Sequence, residues 1–428
     1  MLKKIPFIKL KAGALQYTIF IAVVIAMVIF AFISLSYVQQ QLKLKSNAYI
    51  QTIHITNLAI SYAEKAEIPY NTEATINTTE GFSGNTLIIK KNWGVFDMAT
   101  TISTINKEMF TKNAFIGGYI SDRSALYLQD NNQPLVVVGQ TRIEGKAFLP
   151  KQAVKRGTIA GNSYTGSQLI YGTVELSKKK LPQLENRKML QSLCNGSFPF
   201  QGIHSFDLQE HGIFVNSFNN PTQVFSSNLP VDLQNISLTG NIIISSRSKI
   251  RVHESAMLKD VILIAPEIEI LDHVSGNFQA FAKKKIVVGK NCGLAYPSGL
   301  ILYEDKEATQ NSGVSNVKDF NRIDIQEGSK IKGVIAFLSD NQLNNYKLQI
   351  NIVESAEITG EVYCNGNLQL NGTVKGSVFT RNFITLAYGS VFQNHIFNGQ
   401  ILGSKLPLQY SGLLLENSKK SVAKWLYY

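Results

Sequence analysis

The sequence contains few of the residues that usually carry metal, redox or disulfide chemistry. Its 428 residues include three cysteines, Cys194, Cys292 and Cys364, which are odd in number and widely spaced. This spacing excludes a disulfide framework and every CxxC-type zinc or redox motif, and it allows at most one disulfide. No two histidines lie two or four residues apart, so we expect no metal site. The six are His54, His204, His211, His253, His273 and His395.

Motifs that link residue type and spacing to a reaction mechanism are absent as well. The sequence contains no HExxH, GxSxG, Walker or GxGxxG pattern. The nearest matches are GQTRIEGKA (residues 139–147) and GNSYTG (residues 161–166), and their spacing fits neither a phosphate loop nor a nucleophile elbow. We therefore predict that the protein is not an enzyme, and that it has no catalytic, cofactor-binding or metal-binding residues and no cofactor.

Charge is sparse and unevenly distributed. Charged residues make up 17% of the chain, and the net charge is +12. Six lysines and no acid lie in the first 45 residues, which leaves +6 over the remaining 383. That density is too low for a nucleic-acid footprint, so we predict no nucleic-acid partner. The six lysines are Lys3, Lys4, Lys9, Lys11, Lys43 and Lys45.

One long hydrophobic run follows the first four of these lysines. Residues 12–37 are apolar at most positions and uncharged throughout. As a helix they measure about 39 Å, enough to cross a bilayer core of about 30 Å. A cleavable signal peptide, the alternative, usually has a shorter apolar region and a small-residue cleavage site. We predict a single transmembrane helix in contact with the lipid bilayer over 12–37. The lysine excess places the tail 1–11 in the cytoplasm and the bulk of the chain outside the cytoplasmic membrane.

The helical pattern continues beyond this run. Leu42, Tyr49, Ile53 and Ile60 recur at helical spacing before Pro69, so residues 38–69 are predicted to form an amphipathic stalk helix.

A long helix of this kind, after a short basic leader, resembles the N-terminus of type IV pilins and pseudopilins. KAGALQYTIF resembles a prepilin junction around Gly13 and Ala14, although Thr18 stands where most such subunits have glutamate. The resemblance implies a subunit of a secretion, adhesion or DNA-uptake filament, processed near Gly13. A plain signal anchor is the alternative.

Residues 231–400 carry an internal repeat of about 18 residues. Apolar doublets recur at this step, and so do single apolar positions and the units IKGVIAF, ITGEVYC and VKGSVFT. The pattern predicts a mainly β fold, a parallel β-helix or solenoid, in which stacked coils bury aligned apolar residues. The doublets are Ile250/Val252, Ile268/Ile270 and Ile286/Val288, then Ile350/Ile352, Leu368/Leu370 and Ile384/Leu386; the single tracks are Ala256, Val274 and Cys292, and Ile264, Ala282 and Leu300.

Three glycines occupy the same place in the longer unit: Gly333, Gly360 and Gly376. We expect the backbone to turn or to approach a neighbouring coil there. The polar stretches 303–321 and 339–347 are expected to be loops that leave the coil.

The stretch 358–391 resembles the bactofilin family of polymer-forming parallel β-helices. The resemblance implies end-to-end stacking into filaments without a catalytic site. The segment 401–428 is predicted to cap the solenoid, with a helix over 406–428 that would block such stacking.

The region 70–230 is less regular. It is predicted to be a mixed β region with a small β-layer at 77–105. The spacing of Leu126/Leu128, Ile143, Ile159 and Val174/Leu176 indicates early solenoid coils from about residue 120, and 178–194 is predicted to be a helix that covers the side of the solenoid.

Some parallel β-helices act on polysaccharides through carboxylates on one outer face. The acids that could form such a face are Glu254, Asp260, Glu267, Glu269 and Asp272. Since no aromatic run accompanies them, a solvated face is the preferred interpretation. We expect a noncatalytic envelope protein that presents a β-solenoid and associates with itself or with an envelope protein. A pilin-like subunit is the first alternative, and a polysaccharide-acting enzyme is the second.

Overall fold

A computed structural model describes residues 13–77, 84–197, 204–208, 212–305, 321–341, 346–416 and 418–427. The predicted basic tail 1–11 and most of the two predicted polar loops lie outside these residues. The chain divides into two compact units. The first comprises 1–59, 75–87 and 102–111, and the second comprises 60–74, 88–101 and 112–428.

The fold is mainly β and begins with one long helix. Helix α1 spans Gly13–Lys65, 53 residues without a break. The absence of proline and of any charge before Lys43 lets the helix run continuously through the apolar segment.

Five strands form the first sheet, in the order β1-β2-β3-β4-β33. They are β1 (Glu73–Asn77), β2 (Gly84–Trp93), β3 (Phe96–Ile105), β4 (Glu108–Tyr119) and β33 (Lys419–Leu426). The β-layer predicted near 77–105 is therefore present. Its last strand, β33, pairs antiparallel with β4, although about 300 residues separate them in the chain. The predicted helix over 406–428 is thus wrong.

The segment between β4 and β33 contains one eight-residue helix, α2 (Arg187–Cys194), and a large, mostly parallel β structure. Its strands are β5 (Ser124–Leu128), β6 (Leu135–Val138), β7 (Arg142–Glu144), β8 (Lys146–Leu149), β9 (Val154–Arg156), β10 (Thr158–Ile159), β11 (Asn162–Ser163), β12 (Val174–Leu176), β13 (His204–Ser205), β14 (Ile213–Asn216), β15 (Gln223–Ser227), β16 (Val231–Leu233), β17 (Ser237–Gly240), β18 (Ile242–Ser246), β19 (Lys249–Val252), β20 (Met257–Ile264), β21 (Glu267–Ile270), β22 (Ser275–Ala282), β23 (Lys285–Val288), β24 (Gly293–Glu304), β25 (Arg322–Ile325), β26 (Lys330–Ser339), β27 (Ile350–Ile352), β28 (Glu357–Leu370), β29 (Thr373–Ala387), β30 (Ser390–Gln393), β31 (His395–Phe397) and β32 (Gln400–Leu402).

The parallel pairings repeat at the predicted step. Ile250 pairs with Ile268, and Ile268 pairs with Ile286, so the chain returns beside itself every 18 residues. Ile350 likewise pairs with Leu368. We call each such repeat a coil. The inward residues of successive coils form one continuous apolar core. This arrangement is consistent with a β-solenoid, in which each coil buries its apolar face only by stacking.

The three repeated glycines lie in one column. Gly333 pairs with Gly360, and Gly360 pairs with Gly376, all at φ values between +144° and +153°. A Cβ on Gly360 would lie 1.9 Å from the carbonyl oxygen of Gly333. The predicted close approach of neighbouring coils is confirmed, and only glycine fits it.

Two predicted tracks slip by one residue. Ile264 pairs with Phe281 rather than with Ala282, because the ladder shifts register between Lys259 and Val261. A shift of one residue moves a side chain to the opposite face of the strand. Leu368 pairs with Phe383 rather than with Ile384.

The coils do not stack in chain order. Strand β29 pairs with β5, and β32 pairs with β7, so the last coil of the main run lies against the first coil of the segment 124–176. From β5 the stack continues through β8 to β12. The coils predicted from about residue 120 are present. They follow the C-terminal coil, however, instead of preceding residue 231.

A ladder of amide side chains crosses this non-sequential junction. The Asn131 side chain donates to Asn382 Oδ1 at 2.7 Å, and the Asn382 side chain donates to Asn367 Oδ1 at 3.2 Å. The coil that holds Asn131 thus shares hydrogen bonds with two coils of the main run.

Helix α2 lies on the outer face of the stack, as predicted for a covering helix. Leu190, Leu193 and Cys194 are buried in a cluster that includes Phe281 and Ile301. The predicted start at residue 178 is wrong, since the helix begins only at Arg187.

Candidate functional surfaces

The first candidate surface is the apolar half of α1. Phe20 is 66% exposed and Phe30 is 73% exposed, as are most other large apolar side chains between Leu15 and Val38. The helix is long and apolar enough to cross a membrane. The Thr18 hydroxyl donates to the carbonyl oxygen of Leu15 at 2.9 Å, which satisfies it within the helix. A polar group satisfied in this way is compatible with a lipid environment.

The second half of α1 packs on β structure. In the first unit, Ala48 and Ile55 form a buried cluster with Ile105, and the rings of Tyr49 and Phe110 meet edge to face at 5.9 Å. Thr52 is also buried.

The buried face of this half was only partly predictable. It follows Ala48, Thr52, Ile55 and Ala59, which are mostly small or polar, whereas the predicted stripe included Leu42, a residue that is 61% exposed. Small residues allow close approach but give little hydrophobic signal in a sequence.

In the second unit, the C-terminal strand β33 contacts the end of α1 and the solenoid. The Val422 backbone N–H donates to Glu64 Oε1 at 2.9 Å. Two residues later, the Lys424 ammonium donates to both carboxylate oxygens of Asp260, at 2.8 and 2.6 Å. Strand β33 therefore ties the helix end, the first sheet and the solenoid together.

Asp260 occupies an unusual place in the solenoid. It lies at the register shift in β20 with φ +59°, and its side chain is almost fully buried. Its carboxylate also accepts from the Asn277 side chain at 2.9 Å, and its carbonyl oxygen accepts from the Trp93 indole at 3.3 Å. Burial raises its pKa, and Lys424 partly opposes that shift. The bulge thus directs a carboxylate at the C-terminal strand.

A second buried carboxylate holds the chain just before β33. Glu361 is fully buried, and its Oε2 accepts from the Leu413 backbone N–H at 2.7 Å. The Tyr410 hydroxyl donates to the Gly333 carbonyl oxygen at 2.8 Å, and the Tyr296 hydroxyl donates to that of Ser411 at 2.7 Å. Burial raises the pKa of Glu361 to about 7. Sequence reasoning missed this contact because a single glutamate within a repeat carries no signal.

The acids considered for polysaccharide chemistry do not converge on one site. Glu254 and Asp272 are exposed, and Asp272 accepts from the Lys290 backbone N–H at 2.7 Å. Glu269 pairs with Lys249 at 2.5 Å. Glu267 lies one coil from both Lys249 and Lys285 in the same register column, between cations. Asp260 points instead toward Lys424.

The three cysteines are free thiols. Cys292 and Cys364 are 1% and 0% exposed within the inner core, as their predicted inward positions require. Burial raises the pKa of the Cys364 thiol to about 12, so it is protonated and unreactive near neutral pH. Within the described ranges, no three His, Cys, Asp or Glu side chains are placed to hold a metal ion.

Comparison with known proteins gives one structural similarity. No family model matches the sequence, and no curated protein matches it. Among solved structures, the chain is similar to the crystal structure of the competence-associated pilin ComZ from Thermus thermophilus. The identity is 9%, the match covers 89% of this chain and 96% of that chain, and the TM-score is 0.20. At this TM-score the similarity carries no argument about function.

Proposed function

We propose that the protein is a noncatalytic structural subunit of the cell envelope, anchored in the cytoplasmic membrane by α1, which assembles in a pilin-like manner. One observation carries the proposal. The apolar half of α1 is exposed, its second half packs on β structure, and the sheet closes through β4 and β33, on either side of the inserted solenoid. The anchor, the sheet and the solenoid then act as membrane attachment, platform and displayed domain.

Charge and composition support an orientation with the N-terminus inside. Four lysines precede the apolar run within eleven residues, and two follow it. Positive charge is retained on the cytoplasmic side of single-span proteins. The sheet and the solenoid then lie outside the cytoplasmic membrane.

Anchoring and orientation can be tested in cells that express the full-length protein. The three native thiols are buried, so a membrane-impermeant maleimide reports only on introduced cysteines. We expect Tyr346→Cys, at a residue that is 60% exposed, to be labelled in intact spheroplasts, and Lys4→Cys to be labelled only after lysis. Ile25→Asp should release the protein from carbonate-washed membranes, whereas Leu58→Asp, farther along α1, should not. Labelling of Lys4→Cys in intact spheroplasts would contradict the orientation.

A second candidate function, end-to-end stacking of solenoids as in the bactofilin-like interpretation, is favoured by the outermost strands. Strand β12 exposes Val174 and Leu176, and β14 exposes Ile213 and Val215, with Ile213 81% exposed. Exposed apolar edge strands promote strand addition from another chain.

Stacking at these edges can be tested by negative-stain microscopy of the full-length protein in detergent. If solenoid ends associate, wild-type protein forms linear stacks, and the double variant Leu176→Lys/Ile213→Lys gives single particles. Leu408→Lys, at an exposed residue outside both edge strands, is the control and should stack as wild type does. Single particles from the wild type would exclude this candidate.

A further inference from the structure

The outer face of the solenoid contains a polar groove at the end of α2. Its volume is about 620 Å³. The lining combines serine hydroxyls, two asparagine side chains, two cationic side chains and an apolar floor. The residues that the argument uses are Asn195, Ser226, Asn228, Ser245, Arg247 and Lys283.

The groove arises from a change of residue type along one column of the outer face. Ile301, Phe281 and Ile264 pair in successive coils and are buried in the cluster that includes α2. The next two members of the column are Ser245 and Ser226. Because α2 ends at Cys194, these last coils lack the helical cover, and hydroxyls replace the apolar side chains there.

The hydroxyls of Ser226 and Ser245 are available to a ligand. Among the hydrogen bonds of the described residues, none involves either of them. By contrast, Ser246, which also lines the groove, donates to the Leu229 carbonyl oxygen at 2.8 Å. Two of the groove's hydroxyls therefore offer both a donor and an acceptor.

Two cations border the hydroxyls on the same face. Continuing the register of Ser245 and Ile264 by two residues places Arg247, Pro266 and Lys283 in successive coils. At about 4.8 Å per coil, the backbones of Arg247 and Lys283 are about 10 Å apart. Both side chains are exposed, and neither has an ion-pair partner within the described ranges. No acidic residue lines the groove.

We propose that this groove binds an acidic saccharide, a sugar unit that carries a carboxylate or a phosphate. The two cations would pair with the anionic groups, and the serine hydroxyls and the amides of Asn195 and Asn228 would hydrogen-bond to sugar hydroxyls. A nucleic acid fits less well, since binding of single strands relies on aromatic side chains for base stacking and none lines the groove. This inference is independent of filament assembly, because it concerns the solenoid surface alone.

The test is a binding titration with dispersed full-length protein in detergent. The probes are galacturonic acid trisaccharide for the carboxylate, mannose 6-phosphate for the phosphate, neutral maltotriose, and a short single-stranded DNA. Arg247→Gln/Lys283→Gln removes both cations. Lys284→Gln/Lys330→Gln removes the same charge from exposed lysines outside the groove. Thermal melting of all variants verifies that each is folded.

We expect wild-type protein to bind at least one acidic probe at least tenfold more tightly than maltotriose. The groove variant should lose at least tenfold in affinity, and the control variant should lose less than twofold. The acidic probe that binds identifies the anionic group. Failure of both acidic probes to bind, equal binding of maltotriose, or an equal loss in the control variant would overturn the proposal. Binding of DNA alone would reassign the groove to nucleic acid.

Discussion

Apolar residues have opposite roles in the two halves of this chain. In the solenoid, Ile250, Ile268 and Ile286 stack inward at a regular step and are fully buried. In the first half of α1, isoleucine and phenylalanine side chains are exposed all round. The first arrangement builds a core by repetition, and the second suits a lipid environment. The location of an apolar residue therefore follows from the period of the pattern rather than from the residue type.

The two regions also differ in how their contacts are distributed. Each solenoid coil repeats the contacts of its neighbour, whereas the C-terminal strand depends on a few contacts made once, at Glu64, Asp260 and Glu361. We expect damage to a repeated contact to matter most where the backbone itself is crowded, and damage to a single contact to matter because nothing replaces it.

The largest effect is predicted for Gly360→Ala. The new Cβ would lie 1.9 Å from the Gly333 carbonyl oxygen at φ +149°, so the coils on either side would have to separate. We expect a loss of about 4 kcal/mol or more in the free energy of unfolding, in the range of severe core disruption. Thermal melting and expression yield of the full-length protein measure it.

Gly389→Ala is the matched control for this substitution. Gly389 also has a positive φ, +73°, but no atom lies within 4 Å of the position that a Cβ would occupy there. The expected loss is only about 1–2 kcal/mol, the cost of left-handed backbone for an L-residue. Equal losses at the two positions would show that coil crowding is not the cause.

A smaller but still large effect is predicted for Lys424→Met. The substitution keeps most of the side-chain volume but leaves the Asp260 carboxylate buried without its cation. Removal of one partner of a buried pair costs about 3–5 kcal/mol. Because Lys424 is 23% exposed, we expect the lower end of that range. Asp260→Asn in the Lys424→Met background should restore part of the stability.

The control for the buried pair is Lys290→Met. Lys290 pairs with Glu327 at 3.1 Å, and both side chains are more than half exposed. Exposed pairs contribute about 1 kcal/mol or less. If the two lysine variants melt alike, strand β33 is not held by its ion pair.

The third prediction concerns pH. The pKa of Glu361 is raised from 4.5 to about 7, so the folded state holds its proton more tightly than the unfolded state does. Its contribution to stability is therefore fully present below about pH 4.5 and is lost as the pH rises through 7. The span corresponds to about 3 kcal/mol.

Glu361→Gln tests this prediction, because glutamine keeps an acceptor for the Leu413 N–H and cannot ionise. We expect the variant to melt at a higher temperature than the wild type at pH 8, with the difference much reduced at pH 5. Glu327→Gln, at an exposed carboxyl, should change neither profile. A wild-type advantage at pH 8 would contradict a buried, destabilising carboxylate.

Much of the regular structure could be predicted from the sequence. The 18-residue step of Ile250 and Ile268 and the glycine column through Gly360 follow from periodicity and close packing, which any single coil displays. The slip at Ile264 could not be predicted, since a bulge depends on where Asp260 finds its partner. The docking of β29 on β5 was equally hidden, because neighbouring coils in space are about 250 residues apart in the chain.

The functional surfaces divide in the same way. The apolar half of α1 is visible as an uncharged run. The return of β33 to β4 is not, because the segment 419–426 has no pattern that specifies its distant partner. Contacts made once between distant segments leave no repeat to read.

The most direct test of the pilin-like assembly is cross-linking through the apolar half of α1 in native membranes. Ile29→Cys is placed in the exposed apolar segment of the full-length protein, where the three native thiols are buried. The account predicts that a membrane-permeant thiol cross-linker gives dimers with this variant, whereas Tyr346→Cys on the solenoid gives few. A strictly monomeric Ile29→Cys protein at native expression level would contradict assembly through the helix.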